Sequence, residues 1–146
     1  MYVPPFDALL KVLGSDRQRL ARSRSVMVSS ELFKFLLQIA LASCSFDEKD
    51  YLAANPDVAE AVKKGEMTSG RKHFIGFGYF EGRTGGMPEF DENWYLDTYP
   101  DVAAAVESAR VASGAEHFQL VGAIEGRSPT AREEASAAEW KRVLGT

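Results

Sequence analysis

The chain of 146 residues has little with which to build a metal or redox site: a single cysteine, Cys44, and two histidines, His73 and His117. One cysteine excludes an internal disulfide and any site that needs two thiolates. Neither histidine lies in an H-x-x-x-H or H-E-x-x-H pattern, so we predict no metal and no cofactor. We expect Cys44 to be a small buried hydrophobic residue. Each histidine is interpreted as partly buried and donating to a backbone carbonyl, ahead of a metal ligand or a base.

Long apolar runs are missing as well. The segment LFKFLLQIALA, which begins at Leu32, contains Lys34 and has about half the length that a bilayer requires. LASC, which ends at Cys44, has the form of a lipoprotein cleavage site, but Glu31 and Lys34 interrupt the apolar residues before it. We therefore predict no membrane span and no usual signal peptide, and the localisation stays open.

A net positive charge is found in only one part of the chain. Residues 1–45 hold six Lys and Arg against three Asp and Glu, a net charge of +3, and the remainder holds 11 against 18, a net charge of −7. The acidic remainder argues against nucleic-acid binding, because phosphate neutralisation needs a positive face. The one basic cluster, DRQRLARSRS, is interpreted as a solvated helix face or a contact with an acidic partner.

A duplicated segment dominates what is present. Phe46–Arg83 and Phe90–Arg127 align without gaps at a constant offset of 44, and 19 of the 38 aligned positions are identical. A gapless match of this quality indicates an internal repeat, and a unit of about forty residues cannot bury its apolar face alone. The predicted organisation is a helical docking arm (1–45), two repeats (46–85 and 90–129) and a C-terminal capping helix (130–146).

Each repeat is predicted to form three short helices. Asp47 is a good N-cap with Phe46 before it as a hydrophobic staple, and Asn55 is expected to cap the second helix at N-P-D. The third helix follows Ser69 and ends at Gly82 in the left-handed conformation. The fold class is therefore predicted to be all-α, with the two units packed on each other. Predicted packing residues are Tyr51, Leu52, Val58, Ala61, Val62, Phe74 and Phe77, and in the second copy Val102, Ala105, Val106, Phe118, Val121 and Ile124.

The second copy departs from the first at one cap. Tyr99 stands where the first copy has Asn55, and tyrosine caps helices poorly. We expect Asp101 to contribute more to the start of that helix and Tyr99 to make another contact. In the C-terminal segment, Thr130 is expected to cap a helix whose apolar edge closes one end of the repeat core.

The arm is predicted to contain a helix from Pro5 to Gly14, a short turn capped by Ser15, and a longer helix capped by Ser29 or Ser30. The apolar residues of the longer helix cover more than one stripe. It is therefore either buried on most sides or part of an interface. The predicted partner-docking residues are Leu32, Phe33, Phe35, Leu36, Leu37 and Ile39.

The shared phrase FD..YL...PDVA.AV......G..HF...G..EGR resembles a bacterial tandem repeat of about forty residues. That repeat is found in surface or secreted proteins and beside glycosyltransferases of polysaccharide-making systems. The resemblance covers Phe46–Arg127 and implies an association with surface carbohydrate, with no established catalytic activity. A component of a phage-like particle or spike that adsorbs to a bacterial capsule fits the same association.

Two sets of residues are candidates for ligand contact. Arg83 and Arg127 either form an ion pair with Asp57 and Asp101, one latch per repeat, or project outward to bind an acidic sugar. The aromatic residues at the start of the second repeat either pack in the core or seam, or contact a carbohydrate or protein. The predicted ligand-binding residues are Trp94, Tyr95, Tyr99, Arg83 and Arg127.

No catalytic pattern is present in the sequence. There is no nucleophile elbow and no phosphate loop, and carboxylates that recur in both copies, such as Glu81 and Glu125, are better explained by the shared fold than by a glycosidase pair. We predict a non-enzymatic interaction or structural module of a bacterial surface- or particle-associated assembly, spike- or adhesin-like. Its arm would dock onto a protein partner or a second copy. The alternatives are an accessory or regulatory subunit of polysaccharide synthesis and an intracellular adaptor without a carbohydrate link.

Overall fold

The computed structural model describes residues 2–86 and 90–145. Within these residues all regular structure is helical and no β-strand occurs, which confirms the all-α fold class. The chain divides into two compact units, Met1–Gly86 and Met87–Thr146, so the arm and the first repeat belong to one unit. That the two repeats pack on each other stays a prediction. No helix in the described ranges is long and apolar enough to cross a membrane.

The two copies form the same elements at the predicted offset. The first unit contains α1 (Phe6–Val12), α2 (Arg17–Arg22), α3 (Ser30–Ser43), α4 (Glu48–Ala54), α5 (Pro56–Lys63) and α6 (Gly70–His73), and α6 continues as a π-helical stretch over Phe74–Gly78. The second unit contains α7 (Glu92–Thr98), α8 (Pro100–Glu107), α9 (Gly114–His117) with a π-helical stretch over Phe118–Gly122, a 3₁₀ turn (Ala131–Glu133) and α10 (Glu134–Leu144). Adding 44 to the bounds of α4, α5 and α6 gives those of α7, α8 and α9.

The core of the first repeat is a small cluster around one tyrosine. Tyr51 is fully buried and packs with Val58 and Phe74, and partly buried apolar residues surround these three. The Phe46 ring lies 5.3 Å from that of Tyr51, the arrangement of a hydrophobic staple, and Phe90 lies 4.9 Å from Tyr95 in the second repeat. Burial of side chains of this size contributes roughly 1.5–3 kcal/mol each, so a few residues hold each unit together.

The predicted packing was wrong at three positions after the start of the third helix. Phe77 is 56% exposed, and Val121 and Ile124 are exposed in the second repeat. The physical reason is the π-helical stretch, in which the Tyr79 N–H bonds to the Phe74 carbonyl five residues back, at 2.9 Å. This wider turn rotates the following side chains away from the face that a regular α-helix would present to the core.

The first and third helices of each repeat start at the predicted capping residues. Asp47 and Asp91 accept the backbone N–H three residues on, at 2.9 and 3.0 Å, and Ser69 and Ser113 do the same at 3.1 Å. Gly82 ends the third helix with a φ of 70°, as predicted. The local signals of the repeat are therefore sufficient to place its helices.

The arm forms the predicted helices with two differences. Asp16, not Ser15, caps α2. Asp16 has an extended backbone, and its carboxylate accepts the Arg19 N–H at 2.8 Å. Ser29 caps α3 as expected. No residue of α3 is buried, so the alternative of a helix buried on most sides was wrong, and Cys44 beyond its end is exposed rather than buried.

The C-terminal helix α10 also forms. Thr130 accepts the Glu133 N–H at 3.3 Å and so caps the turn that precedes it. The apolar edge of α10 does not pack into the core, because Trp140, Val143 and Leu144 are more than half exposed. Lys141 instead lies against Gly126, where a Cβ would meet its side chain at 2.9 Å.

Candidate functional site

The duplicated histidines each pair with a buried tyrosine. The Tyr51 hydroxyl lies 3.0 Å from Nδ1 of His73, and the Tyr95 hydroxyl lies 3.1 Å from Nδ1 of His117. Both histidines are partly buried as predicted, but the partner is a hydroxyl and not a backbone carbonyl. Burial raises the pKa of Tyr95 to about 12, so this hydroxyl stays protonated near neutral pH. In the described part of the chain, no three His, Cys, Asp or Glu side chains gather as metal ligands do.

Glycine makes room for each of these pairs. A Cβ at Gly78 would overlap the Tyr51 hydroxyl, and a Cβ at Gly122 would overlap that of Tyr95. Both glycines are buried and end the π-helical stretch. The Tyr, His and Gly of the repeated phrase therefore form one packing unit in each copy.

Sequence analysis missed a second duplicated contact. The two carboxylate oxygens of Glu48 accept the N–H groups of Gly70 and Arg71 at 2.6 and 2.8 Å. Glu92 accepts the equivalent groups of the second repeat at 2.6 and 3.0 Å. A bidentate carboxylate thus satisfies the free N–H groups at the start of the third helix and ties it to the first. Glutamate stands at this position in both copies, and this repetition was the signal in the sequence that pointed to a shared contact.

The duplicated arginines form the latch that was one of two alternatives. Arg83 contacts Asp57 at 2.8 Å, and Arg127 contacts Asp101 at 2.7 Å and Glu125 at 2.6 Å. The hydrogen bond from Arg127 lowers the pKa of Asp101 to about 2. The aspartates are largely exposed, so each pair makes only a modest contribution to stability. Ligand binding by the two arginines stays a prediction.

Asn55 and Tyr99 occupy equivalent positions in the two repeats and make different contacts. Asn55 does not cap α5 with its side chain, contrary to prediction, because its buried amide donates to the carbonyls of Tyr51 and Thr84, both at 2.8 Å. Tyr99 reaches the equivalent segment, since its hydroxyl accepts the Ser128 N–H at 2.9 Å. This bond confirms the expectation that Tyr99 makes another contact.

Tyr99 also lies at the centre of an aromatic cluster. Its ring is 6.2 Å from that of Trp94 in a T-shaped arrangement, and the Arg127 guanidinium carbon is 4.9 Å from its centroid. Trp94 and Tyr99 are half-buried, whereas Tyr95 has no exposed surface and so offers none to a ligand, contrary to prediction. We call Trp94, Tyr99 and Arg127 the aromatic patch.

The aromatic patch occurs in one repeat. At the positions of Trp94 and Tyr99 the first repeat has Asp50 and Asn55, which bind the N–H of Gly86 and the carbonyl of Thr84. Arg83, also predicted to bind ligand, belongs to the other unit. Comparison with protein-family models, curated proteins and solved structures finds no match to the chain.

The arm presents a second candidate surface. One side of α3 faces the first repeat, where Lys34 lies 5.7 Å from the Phe80 ring centroid and Leu41 packs against the core cluster. By helical spacing Leu37 lies on this inner side. Its role in docking stays a prediction. The opposite side carries Leu32, Phe35, Leu36 and Ile39.

These four residues follow i, i+3, i+4, i+7 spacing, and we call them the outer stripe. Phe35 and Leu36 are 57% and 52% exposed, and Phe33 is exposed at its edge. An apolar stripe of this kind on an exposed helix is typical of a contact surface.

Proposed function

We propose that this chain is a non-enzymatic interaction module of a bacterial surface- or particle-associated assembly. The two repeats provide rigid bodies, the arm docks onto protein, and the aromatic patch contacts surface or capsular polysaccharide. The resemblance of the repeated phrase to repeats of surface and polysaccharide-associated proteins supports this proposal.

The engagement of the duplicated polar residues supports a non-enzymatic role. The histidines bind tyrosines, Glu48 and Glu92 bind helix starts, and the arginines bind carboxylates of their own repeat. Each such group already has a structural partner at hydrogen-bonding distance. A catalytic acid or base would instead need its polar atoms directed at a substrate.

The observation that carries the proposal is the aromatic patch. Trp94 and Tyr99 are partly exposed aromatic rings in the second repeat, at positions where the first repeat uses short polar residues to hold its own loop. Rings of this kind offer an apolar face and a polar edge, which suits the apolar C–H faces and hydroxyl groups of sugars. Arg127, which we predict to bind ligand, lies against the Tyr99 ring while its guanidinium is also paired with Asp101 and Glu125.

The experiment measures binding of the purified full chain to capsule-bearing cells and to capsule-free cells of the same strain. We expect binding that depends on the capsule and that is lost in Trp94→Ala. Trp140→Ala is the matched control, because Trp140 is an exposed tryptophan on α10 outside the patch. Circular dichroism verifies that both variants fold. Equal binding to both kinds of cell would overturn the carbohydrate contact.

A further inference from the structure

The internal repeat identifies an uncovered face on the second repeat. In the first repeat, α3 packs on the π-helical stretch of the third helix, and its Lys34 covers Phe80. The position equivalent to Phe80 is Ile124, which is 73% exposed, and Leu120 beside it is 62% exposed. With Val121, also exposed, these residues form an apolar face that we call the third-helix face. In the first repeat a helix of the arm packs on the equivalent element.

The same arm helix, α3, has a second apolar side that is partly exposed. Its inner side is used by the first repeat of its own chain, whereas Phe35 and Leu36 of the outer stripe are more than half exposed. A helix that is apolar on two opposite sides can pack on two partners at once. The outer stripe and the third-helix face are therefore both apolar and at least partly exposed, which suits them to pack on each other.

Charge indicates which surface the arm would meet. Residues 1–45 carry a net charge of +3, which comes from the segment before α3 because α3 itself holds one acidic and one basic residue, so two arms placed side by side would repel through that segment. The second repeat, Phe90–Arg127, holds seven acidic and two basic residues, a net charge of −5, whereas the first holds seven and six, a net charge of −1. Complementary charge favours an arm bound to a second repeat over an arm bound to an arm.

We propose that the outer stripe of α3 in one copy docks on the third-helix face of the second repeat in another copy. This proposal names the partner of the docking arm and so rests on that part of the proposed function. The two surfaces differ, so the contact is heterologous and leaves each bound pair with one free outer stripe and one free third-helix face. Such contacts build a ring or an open chain of subunits.

The experiment is sedimentation velocity of the full chain over a dilution series, with two variants at exposed positions. Leu36→Glu places a negative charge in the outer stripe, and Ile124→Glu places one in the third-helix face, so each variant disables one of the two surfaces. We expect the wild type to form species larger than a dimer as concentration rises, less so at high salt, and each variant alone to stay monomeric. Val143→Glu, a matched change at an exposed apolar position on α10, should assemble like the wild type.

Mixing the two variants separates this contact from a symmetric one. The Ile124→Glu chain keeps a working arm and the Leu36→Glu chain keeps a working face, so the mixture should form a 1:1 dimer that does not grow. A wild type that stays monomeric, an Ile124→Glu chain that still self-associates, or a mixture that stays monomeric would each overturn the proposal. Capsule-dependent binding through Trp94 does not depend on any of these results, so failure here leaves the carbohydrate contact standing.

Discussion

The Tyr51 hydroxyl lies 3.0 Å from Nδ1 of His73, and the residues 44 positions later repeat this contact at 3.1 Å. In both copies the hydroxyl sits against a glycine that has no room for a Cβ. The first helix of the repeat is thereby fixed to its third helix by a polar contact inside the core. The duplicated histidine is thus explained by packing.

Substitution of Gly78 by alanine tests this packing unit directly. The new methyl group would overlap the Tyr51 hydroxyl, so either the tyrosine or the π-helical stretch must shift. We expect the free energy of unfolding to fall by about 2 kcal/mol, as for other overpacked cores. Urea denaturation followed by circular dichroism measures the change.

Gly76→Ala is the control for this substitution. Gly76 lies in the same π-helical stretch, but no atom lies within 4 Å of the position that its Cβ would take. Stability should be unchanged or rise by up to about 1 kcal/mol, because alanine restricts the unfolded chain. If Gly78→Ala is as stable as Gly76→Ala, the tyrosine does not need the space that the structure assigns to it.

Glu48→Gln tests the carboxylate that binds the start of the third helix. The amide keeps one acceptor oxygen and loses the charge, so one of two charge-assisted hydrogen bonds is lost. We expect stability to fall by about 1.5 kcal/mol. Glu60→Gln, which removes an exposed pair with Lys64, should cost about 0.5 kcal/mol or less. Similar losses for the two variants would contradict the cross-helix role of Glu48.

The second helix of each repeat ends at a residue with a positive φ, which is glycine in the first repeat and alanine in the second. Gly65 ends α5 with a φ of 76°, whereas Ala109 adopts a φ of 55° after α8. A residue with a Cβ pays about 1 kcal/mol in this region. We expect Ala109→Gly to raise the melting temperature and Gly65→Ala to lower it. Calorimetry of the two variants checks the signs, and an Ala109→Gly chain that melts below the wild type would refute the assignment.

Acid should weaken the latch of the second repeat. Its hydrogen bond to Arg127 lowers the pKa of Asp101 in the folded chain to about 2, below the ordinary 3.8. The stabilisation is therefore fully present above about pH 4 and is lost as the pH falls towards 2. We expect the difference in unfolding free energy between wild type and Asp101→Asn to shrink over this interval. A difference that is constant from pH 6 to pH 2 would show that the latch is not formed.

Capping residues in the sequence were enough to predict where most helices begin and end, because each capping residue lies within a few residues of the backbone group that it satisfies. Asp47 caps the helix that it begins, and Gly82 ends the helix before it. The same reasoning was wrong for Asn55, whose amide turns inward to carbonyls that include one 29 residues away. Capping propensity cannot tell an amide that faces a helix start from one that a folded loop requires.

Contacts between distant segments were found only where the duplication marked them. The latch between Asp57 and Arg83 was among the alternatives because both residues recur at the same offset. Glu48 recurs as well, but no contact was assigned to it, because Asp47 beside it accounted for the start of the helix. The π-helical stretch was missed because the α-helical i, i+3, i+4 spacing does not describe a turn closed by i+5 hydrogen bonds, and this error placed Phe77 in the core.

We propose that the repeated polar residues hold the fold, whereas Trp94 and Tyr99, which the first repeat lacks, carry the interaction. Capsule-dependent cell binding of a His73→Gln and His117→Gln double variant, compared with that of Trp94→Ala, tests it most directly. The double variant should be less stable in urea yet bind like the wild type at a temperature where it is folded, and Trp94→Ala should be folded and not bind. A folded double variant that has lost capsule-dependent binding, beside a Trp94→Ala chain that retains it, would contradict the account.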